Sequence, residues 1–265
     1  MQNLVDVHTH LDFPEFKEDL HDVVLRAKAA GVCAVITQGV SHEKNLPLLE
    51  LAKEDPMIKV AFGLYPLNAK NVVSHSNQDA DSDHDPPSEY TVDETLSAIK
   101  ENSDGMIAIG EVGMDFHFSD DKEHQTENFR KIIRLAKELH KPLIIHSRKA
   151  EKEVIDMLEE EKFFHAVMHC FCGSKKLIAR GVKLGLYFSI PCAVVRNPQF
   201  QMLAEMVPIG QMLTETDAPY LSPMKGVRNE PAYIKDAVIK IAEIKRMDPV
   251  ETANAIYFNY QKVFL

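Results

Sequence analysis

The sequence lacks the features that would mark a disulfide-linked, membrane-spanning or dinucleotide-binding protein. Only four cysteines occur among 265 residues, and none lies in a Cys-x-x-Cys pair. We therefore expect reduced, mostly buried thiols in a cytoplasmic protein. No apolar run approaches the length of about 18 residues that a membrane-spanning helix needs, and no signal-peptide pattern precedes the first strand pattern. We expect no membrane partner.

The chain also has fewer basic residues than acidic ones. The chain has 40 Asp and Glu residues against 30 Lys and Arg residues, which gives a net charge of -10. Such a charge opposes unaided binding to nucleic acid or to an anionic membrane. A phosphate-containing substrate would therefore need bound cations to supply positive charge at the site.

Strand patterns alternate with helix patterns along the chain. The apolar patterns predict strands at 4–10, 32–37, 57–64, 106–109, 142–145, 166–168, 186–190 and 211–214. They predict helices at 19–30, 47–54, 92–101, 123–140, 151–161, 175–184, 199–207, 232–246 and 249–259. Eight βα units indicate a parallel sheet closed into a single (β/α)₈ barrel, the TIM-barrel fold, over residues 1–265. The alternative, an open doubly wound sheet, lacks support because no Gly-x-Gly-x-x-Gly follows the first strand.

Residues 74–90 differ from the rest of the chain. This segment contains five acidic residues, no Lys or Arg, and almost no apolar side chains. We interpret it as an acidic, mobile loop inserted after the third strand, within the barrel domain. Because it follows the third strand, it could overhang the mouth of the barrel and repel a polyanion.

Metal-type side chains lie at the carboxyl ends of the predicted strands, where the active site of such a barrel is built. The candidates are His8, His10, Glu111, His146, His169 and Asp217. A single zinc ion rarely needs more than four ligands, so six indicate two divalent ions (zinc, magnesium or manganese) with Glu111 between them. Each residue also has an ordinary alternative. His146 and His169 could be core histidines, Glu111 could cap a turn, and Asp217 could cap a helix.

At these residues the chain resembles the TatD family of metal-dependent deoxyribonucleases, a branch of the amidohydrolase-like barrels. Six motifs carry the resemblance in the family's order. They are Asp6-Val7-His8-Thr9-His10-Leu11-Asp12, Gly110-Glu111-Val112-Gly113-Met114-Asp115, His146-Ser147-Arg148, His169-Cys170-Phe171, Glu215-Thr216-Asp217-Ala218-Pro219-Tyr220-Leu221 and Arg228-Asn229-Glu230-Pro231.

The resemblance implies a role for each ligand position. His8, His10 and Asp217 match the ligands of one metal ion, His146 and His169 match those of the other, and Glu111 matches the shared carboxylate. Glu111 and Asp217 are then the catalytic residues, with Asp217 accepting a proton from the attacking water. Asp115 also matches a motif position, where it could orient a ligand or stabilise a turn.

The resemblance also places three residues near bound substrate. Arg148 and Arg228 match positions that would hold phosphates, although an ordinary ion pair is an equal alternative for both. The family often has Gly-x-His-Pro after the third strand, whereas this chain has Gly63-Leu64-Tyr65-Pro66. Tyr65 can donate a hydrogen bond to substrate, but it is a poorer metal ligand than histidine and no acid or base near neutral pH.

Three functions are compatible with these residues. The leading hypothesis is a metal-dependent deoxyribonuclease that trims single-stranded DNA from an end, with DNA contacted through the metals and not through a basic surface. The second is hydrolysis of a small ester, amide or phosphoester by the same centre. The third is a non-catalytic binding protein that retains a structural metal. The sequence does not address the oligomeric state.

Overall fold

The structure is a computed structural model that describes residues 1–73 and 88–265. Within that part of the chain, eight parallel strands are hydrogen-bonded in chain order. They are β1 (Leu4–Thr9), β2 (Val32–Gln38), β3 (Ile58–Leu64), β4 (Ala108–Gly113), β5 (Leu143–His146), β6 (Ala166–Met168), β7 (Tyr187–Pro191) and β8 (Met212–Glu215). The ring closes where the His10 amide donates to the Ala218 carbonyl at 2.9 Å and the Asp217 amide donates to the His8 carbonyl at 2.8 Å. The predicted (β/α)₈ barrel is confirmed.

Helices connect successive strands on the outside of the barrel. In the described residues they are α1 (Leu20–Ala30), α2 (His42–Asn45), α3 (Pro47–Glu54), α4 (Val92–Glu101), α5 (Lys122–Leu139), α6 (Glu151–Glu160), α7 (Lys175–Leu184), α8 (Pro198–Met206), α9 (Ile234–Lys245) and α10 (Pro249–Phe264). Local sequence sets several of their ends. Thr91 and Glu94 form a capping box that begins α4. Gly31, at a φ of 101°, ends α1 in the left-handed conformation that favours glycine.

The core lies inside the barrel and between the barrel and its helices. All six residues of β1 and all six of β4 are buried, as expected for parallel strands covered on both faces. On α5, the apolar residues at helical spacing, Phe129, Ile132 and Ile133 among them, are buried against the sheet. Within residues 1–73 and 88–265, no helix combines the length and apolarity required to cross a bilayer.

The observed elements differ most from the predicted ones in three places, and most other bounds agree within two residues. Strand β4 runs to Gly113, so Glu111 lies on the strand itself and not in the turn after it. Helix α10 continues to Phe264, five residues beyond the predicted end at 259. The short helix α2 was not predicted, because four residues carry no periodic signal. The acidic insertion predicted at 74–90 lies outside the described residues except for its last three.

A buried asparagine at the end of α2 is hydrogen-bonded to the end of β3. The Asn45 side chain is buried; its Oδ1 accepts from the Gly63 amide and its Nδ2 donates to the Gly63 carbonyl, each at 2.9 Å. Both backbone groups lie beneath the mouth of the barrel. Asn45 is thus the hydrogen-bond partner that keeps them satisfied away from water.

We predict that Asn45→Ala lowers the free energy of unfolding by about 2 kcal/mol or more, because it leaves buried backbone groups of Gly63 unpaired. Urea denaturation measures the change. Asn254→Ala, on the exposed face of α10, is the matched control and should change stability by less than about 0.5 kcal/mol. Equal stability of the two variants would contradict the bridging role of Asn45.

Candidate metal centre

Strand β1 and the residue that follows it direct two imidazoles into the mouth of the barrel. His8 and His10 are two residues apart and therefore point to the same side of the strand. Their Nε2 atoms are 3.3 Å apart, and both side chains are buried. The His8 ring also stacks on the ring of His169, with 3.5 Å between the centroids. The alternation in the sequence thus predicted the shared face correctly.

Glu111 lies between two pairs of imidazoles. Its Oε2 atom is 3.4 Å from His8 Nε2 and 3.6 Å from His10 Nε2. Its Oε1 atom is 3.0 Å from His146 Nδ1 and 3.8 Å from His169 Nε2. The two oxygens of one carboxylate therefore face different sets of nitrogen donors.

A glycine on the neighbouring strand makes room for the backbone of Glu111. A Cβ atom placed on Gly63 of β3 would lie 2.4 Å from both the amide nitrogen and the carbonyl oxygen of Glu111. Any larger residue would therefore displace β4 at the position that carries the central carboxylate. Gly63 is required here for this close approach.

Asp217 completes the cluster from the segment after β8. Its Oδ1 atom is 3.5 Å from the Nε2 atoms of both His8 and His10. The residue has a φ of 57°, a left-handed conformation that is uncommon outside glycine. The hydrogen bond of its amide to the His8 carbonyl holds it there. Asp217 therefore does not begin a helix, the alternative role for this residue.

Acidic residues behind the cluster orient two of the imidazoles. Glu215 Oε2 lies 2.9 Å from His169 Nδ1, while Glu215 Oε1 accepts from the Cys170 amide at 2.9 Å and Ser189 donates to the same carboxylate. Carboxylates on the far nitrogen of a histidine commonly fix the ring of a metal ligand. The sequence motifs predict no separate role for Glu215. The signal was its position at the end of β8, two residues before Asp217.

Asp115 supports His146 in the same manner and shapes a turn as well. Its Oδ2 atom is 2.9 Å from His146 Nε2, while its Oδ1 atom accepts from the amides of His117 and Phe118. Both alternatives for Asp115, ligand orientation and a turn, are therefore seen together. The Tyr65 hydroxyl donates to the same Oδ2 atom at 3.0 Å.

Asp6 lies on the face of β1 that carries His8 but does not join the cluster. It is fully buried, and Thr216 donates to it from both its amide (2.9 Å) and its hydroxyl (2.6 Å). Burial raises the pKa of Asp6 to about 7, against the opposing effect of the hydrogen bonds from Thr216. Asp6 therefore joins β1 to the segment that carries Asp217.

The cluster favours ionised carboxylates. Burial opposes ionisation of Glu111, but the charge of His8 and the hydrogen bond to His146 outweigh it and hold the pKa of Glu111 well below its usual value. Burial likewise lowers the pKa of His146, but hydrogen bonds to Asp115 and Glu111 outweigh it and raise that pKa to about 9. The carboxylates of Glu111 and Asp115 are both buried beside His146. They thus attract positive charge, from protons or from a metal.

The donor set fits divalent metal ions. His8, His10 and Asp217 offer ligand atoms that lie within 4.8 Å of one another, and so do His8, Glu111 and His169. Imidazole and carboxylate are donors that zinc and manganese accept. The side chains are largely buried, and a buried cluster of ionised groups is stable only when paired or metal-bound. The described residues therefore fit the metal centre that the sequence predicted.

Comparisons with known proteins agree with this geometry. The profile of the family described as TatD related DNase matches residues 5–265. The chain belongs to this family. It is 33% identical over 270 residues to YabD of Bacillus subtilis, named as an uncharacterized metal-dependent hydrolase, with 98% of each chain covered. It is 32% identical over 267 residues to the human deoxyribonuclease TATDN3, covering 98% of this chain and 94% of TATDN3.

A solved structure shows the same fold. The crystal structure of YJJV, a TatD homologue from Escherichia coli, superposes with a TM-score of 0.84 at 26% identity, covering 99% of this chain and 98% of that one. The family and barrel expected from the sequence motifs are thus confirmed.

The mouth of this TatD-family barrel opens into a cavity of about 470 Å³. Five of the six candidate ligands line it, together with Tyr65 and Arg148, and His8 lies beneath them. Arg228 does not line the cavity. Its guanidinium instead forms a bidentate pair with Asp19, at 2.9 and 2.7 Å, and lies over the Phe16 ring. For Arg228 the structure therefore shows the ion pair that was the alternative role.

We predict that Asp115→Asn weakens divalent-metal binding about 10–100-fold, because the variant keeps the shape of the side chain but removes the negative charge behind His146. Calorimetric titration with Mn²⁺ measures the affinity. Asp93→Asn, whose carboxylate is 76% exposed on α4, is the control and should bind metal as the unaltered chain does. Unchanged affinity in Asp115→Asn would show that His146 needs no orienting carboxylate.

Proposed function

We propose that this protein is a divalent-metal-dependent deoxyribonuclease that hydrolyses phosphodiester bonds at the end of single-stranded DNA. One observation carries the proposal: the two oxygens of Glu111 face separate pairs of imidazoles. A carboxylate in this position suits a centre of two ions, the arrangement used by many phosphodiester-cleaving enzymes. Membership of a family that includes a human deoxyribonuclease supports the choice of substrate.

The ligands divide into two groups around Glu111. His8, His10 and Asp217 would hold one ion, and His146 and His169 would hold the other. Bound divalent ions would supply Lewis-acid chemistry, neutralising charge on the phosphate oxygens and making water a better nucleophile near neutral pH. Zinc, magnesium and manganese remain the candidates for these ions.

The remaining chemistry belongs to the side chains of the chain. Burial opposes ionisation of Asp217, but the charge of His169 and the hydrogen bond from His10 outweigh it, so the pKa of Asp217 lies below its usual value. Asp217 is therefore ionised at neutral pH, and it lines the cavity. We assign to Asp217 the acceptance of a proton from the attacking water. Glu111 sets the spacing of the two metal positions.

The shape and charge of the site favour a strand end over a long duplex. Among the described residues, Arg148 is the single Lys or Arg that lines the cavity, and the chain as a whole carries a net charge of -10. A polyanion thus meets little positive surface apart from the metals. A single-stranded end can place one phosphate in the cavity while the rest of the strand stays in solvent. A cytoplasmic location is part of the proposal and is supported by four free thiols. Only Cys192 is buried, so the expectation of mostly buried thiols is wrong.

We predict that Glu111→Gln lowers the rate of nucleotide release by at least about a hundredfold, because it removes the carboxylate charge between the two metal positions. An end-labelled single-stranded oligonucleotide with Mg²⁺ or Mn²⁺ gives the rate and the polarity of cleavage, and chelator should abolish release. Glu243→Gln, 68% exposed on α9, is the matched control. If Glu111→Gln, equally folded, cuts as fast as the control, the metal-centre assignment is wrong.

Hydrolysis of a small ester, amide or phosphoester is the second candidate function. The cavity of about 470 Å³ favours it, because that volume lies within the usual range for small-molecule sites. A panel of small esters, lactones and phosphodiesters separates the two functions. Turnover of small substrates, with an untouched oligonucleotide and fully metal-loaded protein, would replace the deoxyribonuclease proposal with this one.

A further inference from the structure

Arg148 lies over an aromatic ring at the mouth of the cavity. Its guanidinium carbon lies over the Phe118 ring, 4.5 Å from the centroid, a distance typical of a cation–π pair. Within residues 1–73 and 88–265 the guanidinium makes no ion pair with a carboxylate, whereas that of Arg228 is held by Asp19. The Arg148 side chain is exposed. It therefore keeps both its charge and a planar surface available to a ligand.

Both members of this pair are fixed to the metal centre through the backbone. The Phe118 amide donates to Asp115 Oδ1 at 3.1 Å, and Asp115 also contacts His146. The Arg148 carbonyl accepts from the Phe116 amide at 2.9 Å. Arg148 itself follows His146 by two residues. The position of the pair relative to the candidate metal ligands is thus set by short connections through the backbone.

The walls of the cavity supply aromatic surface in place of further cations. Phe13 and Tyr220 line it as well, and the Phe13 ring stacks on that of His10 with 4.7 Å between the centroids. A site that binds a DNA strand mainly through its phosphates would present several Lys or Arg side chains. Here one guanidinium is accompanied by aromatic rings, the composition typical of sites where bases stack.

We propose that the Phe118–Arg148 pair is a subsite for one nucleobase close to the cleaved bond, with the guanidinium plane of Arg148 stacking on the base. The inference rests on the proposed function and names what the site recognises besides phosphate. Bases stack on Arg guanidinium planes as they do on aromatic rings, and the Phe118 ring supports the guanidinium of Arg148 on one side. Such contacts are tolerant of sequence because every base has a π-face.

The substitution Arg148→Lys separates base stacking from phosphate binding. Lysine keeps the positive charge but has no plane to stack on. The test uses single-stranded oligonucleotides that are intact or lack the base at one of the last three positions, and it measures kcat/KM for each. Arg134→Lys, on the exposed side of α5 and outside the cavity, is the matched control.

We expect the unaltered protein and Arg134→Lys to lose about tenfold in kcat/KM when the base is missing at one particular position. Arg148→Lys should cleave the intact strand about tenfold more slowly and should no longer distinguish it from the strand without that base. Equal loss on intact and base-free strands, or no loss on either, would overturn the subsite while leaving metal-dependent cleavage in place. If the unaltered protein cleaves no strand, the proposed function fails and this inference fails with it.

Discussion

Two carboxylates, the buried one of Glu111 and the largely buried one of Asp217, lie together at one end of the barrel, and their charge determines the arrangement of the residues around them. Ionised groups removed from water are costly unless partners or cations compensate them. Four imidazoles surround these carboxylates, at 3.0 to 3.8 Å from one oxygen or another. The arrangement is electrostatically matched to a divalent cation, which explains why donors from five strand ends converge here.

Acidic residues of the barrel hold the imidazole ligands in position. Glu215 and Asp115 occupy the far nitrogens of His169 and His146, and Asp6 links β1 to the segment after β8. These acids are themselves held by backbone amides and hydroxyls. The orientation of the imidazoles is therefore set by a network that reaches into the core, and packing of the strands fixes the geometry of the centre.

Much of the fold could be predicted from the sequence because period-2 and period-3.6 apolar patterns report burial directly. The eight strands and the long helices follow from them, and so does the placement of candidate ligands at strand ends. The extent of β4 was missed because Gly110, Glu111 and Gly113 resemble a turn, although Gly63 beside them gives the strand room to continue. Helix α2 is too short for any periodic signal.

The convergence of the candidate metal ligands could be predicted from the sequence, whereas of the acidic residues behind them only Asp115 could. The two-residue spacing of His8 and His10 indicates a shared strand face, and the other candidate ligands are recognised by their positions near the ends of predicted strands. Glu215 resembles an ordinary strand residue until the structure places its carboxylate against His169. Arg148 and Arg228 look alike in sequence. Their neighbours in the structure distinguish them. The guanidinium of Arg148 lies over the Phe118 ring, whereas that of Arg228 is paired with Asp19.

Anomalous diffraction from crystals grown with Mn²⁺ would show whether the site binds two ions with Glu111 between them. We expect two peaks in the cavity, one beside His8, His10 and Asp217 and the other beside His146 and His169, with one oxygen of Glu111 toward each. A single peak at full metal loading, or peaks away from Glu111, would contradict that arrangement.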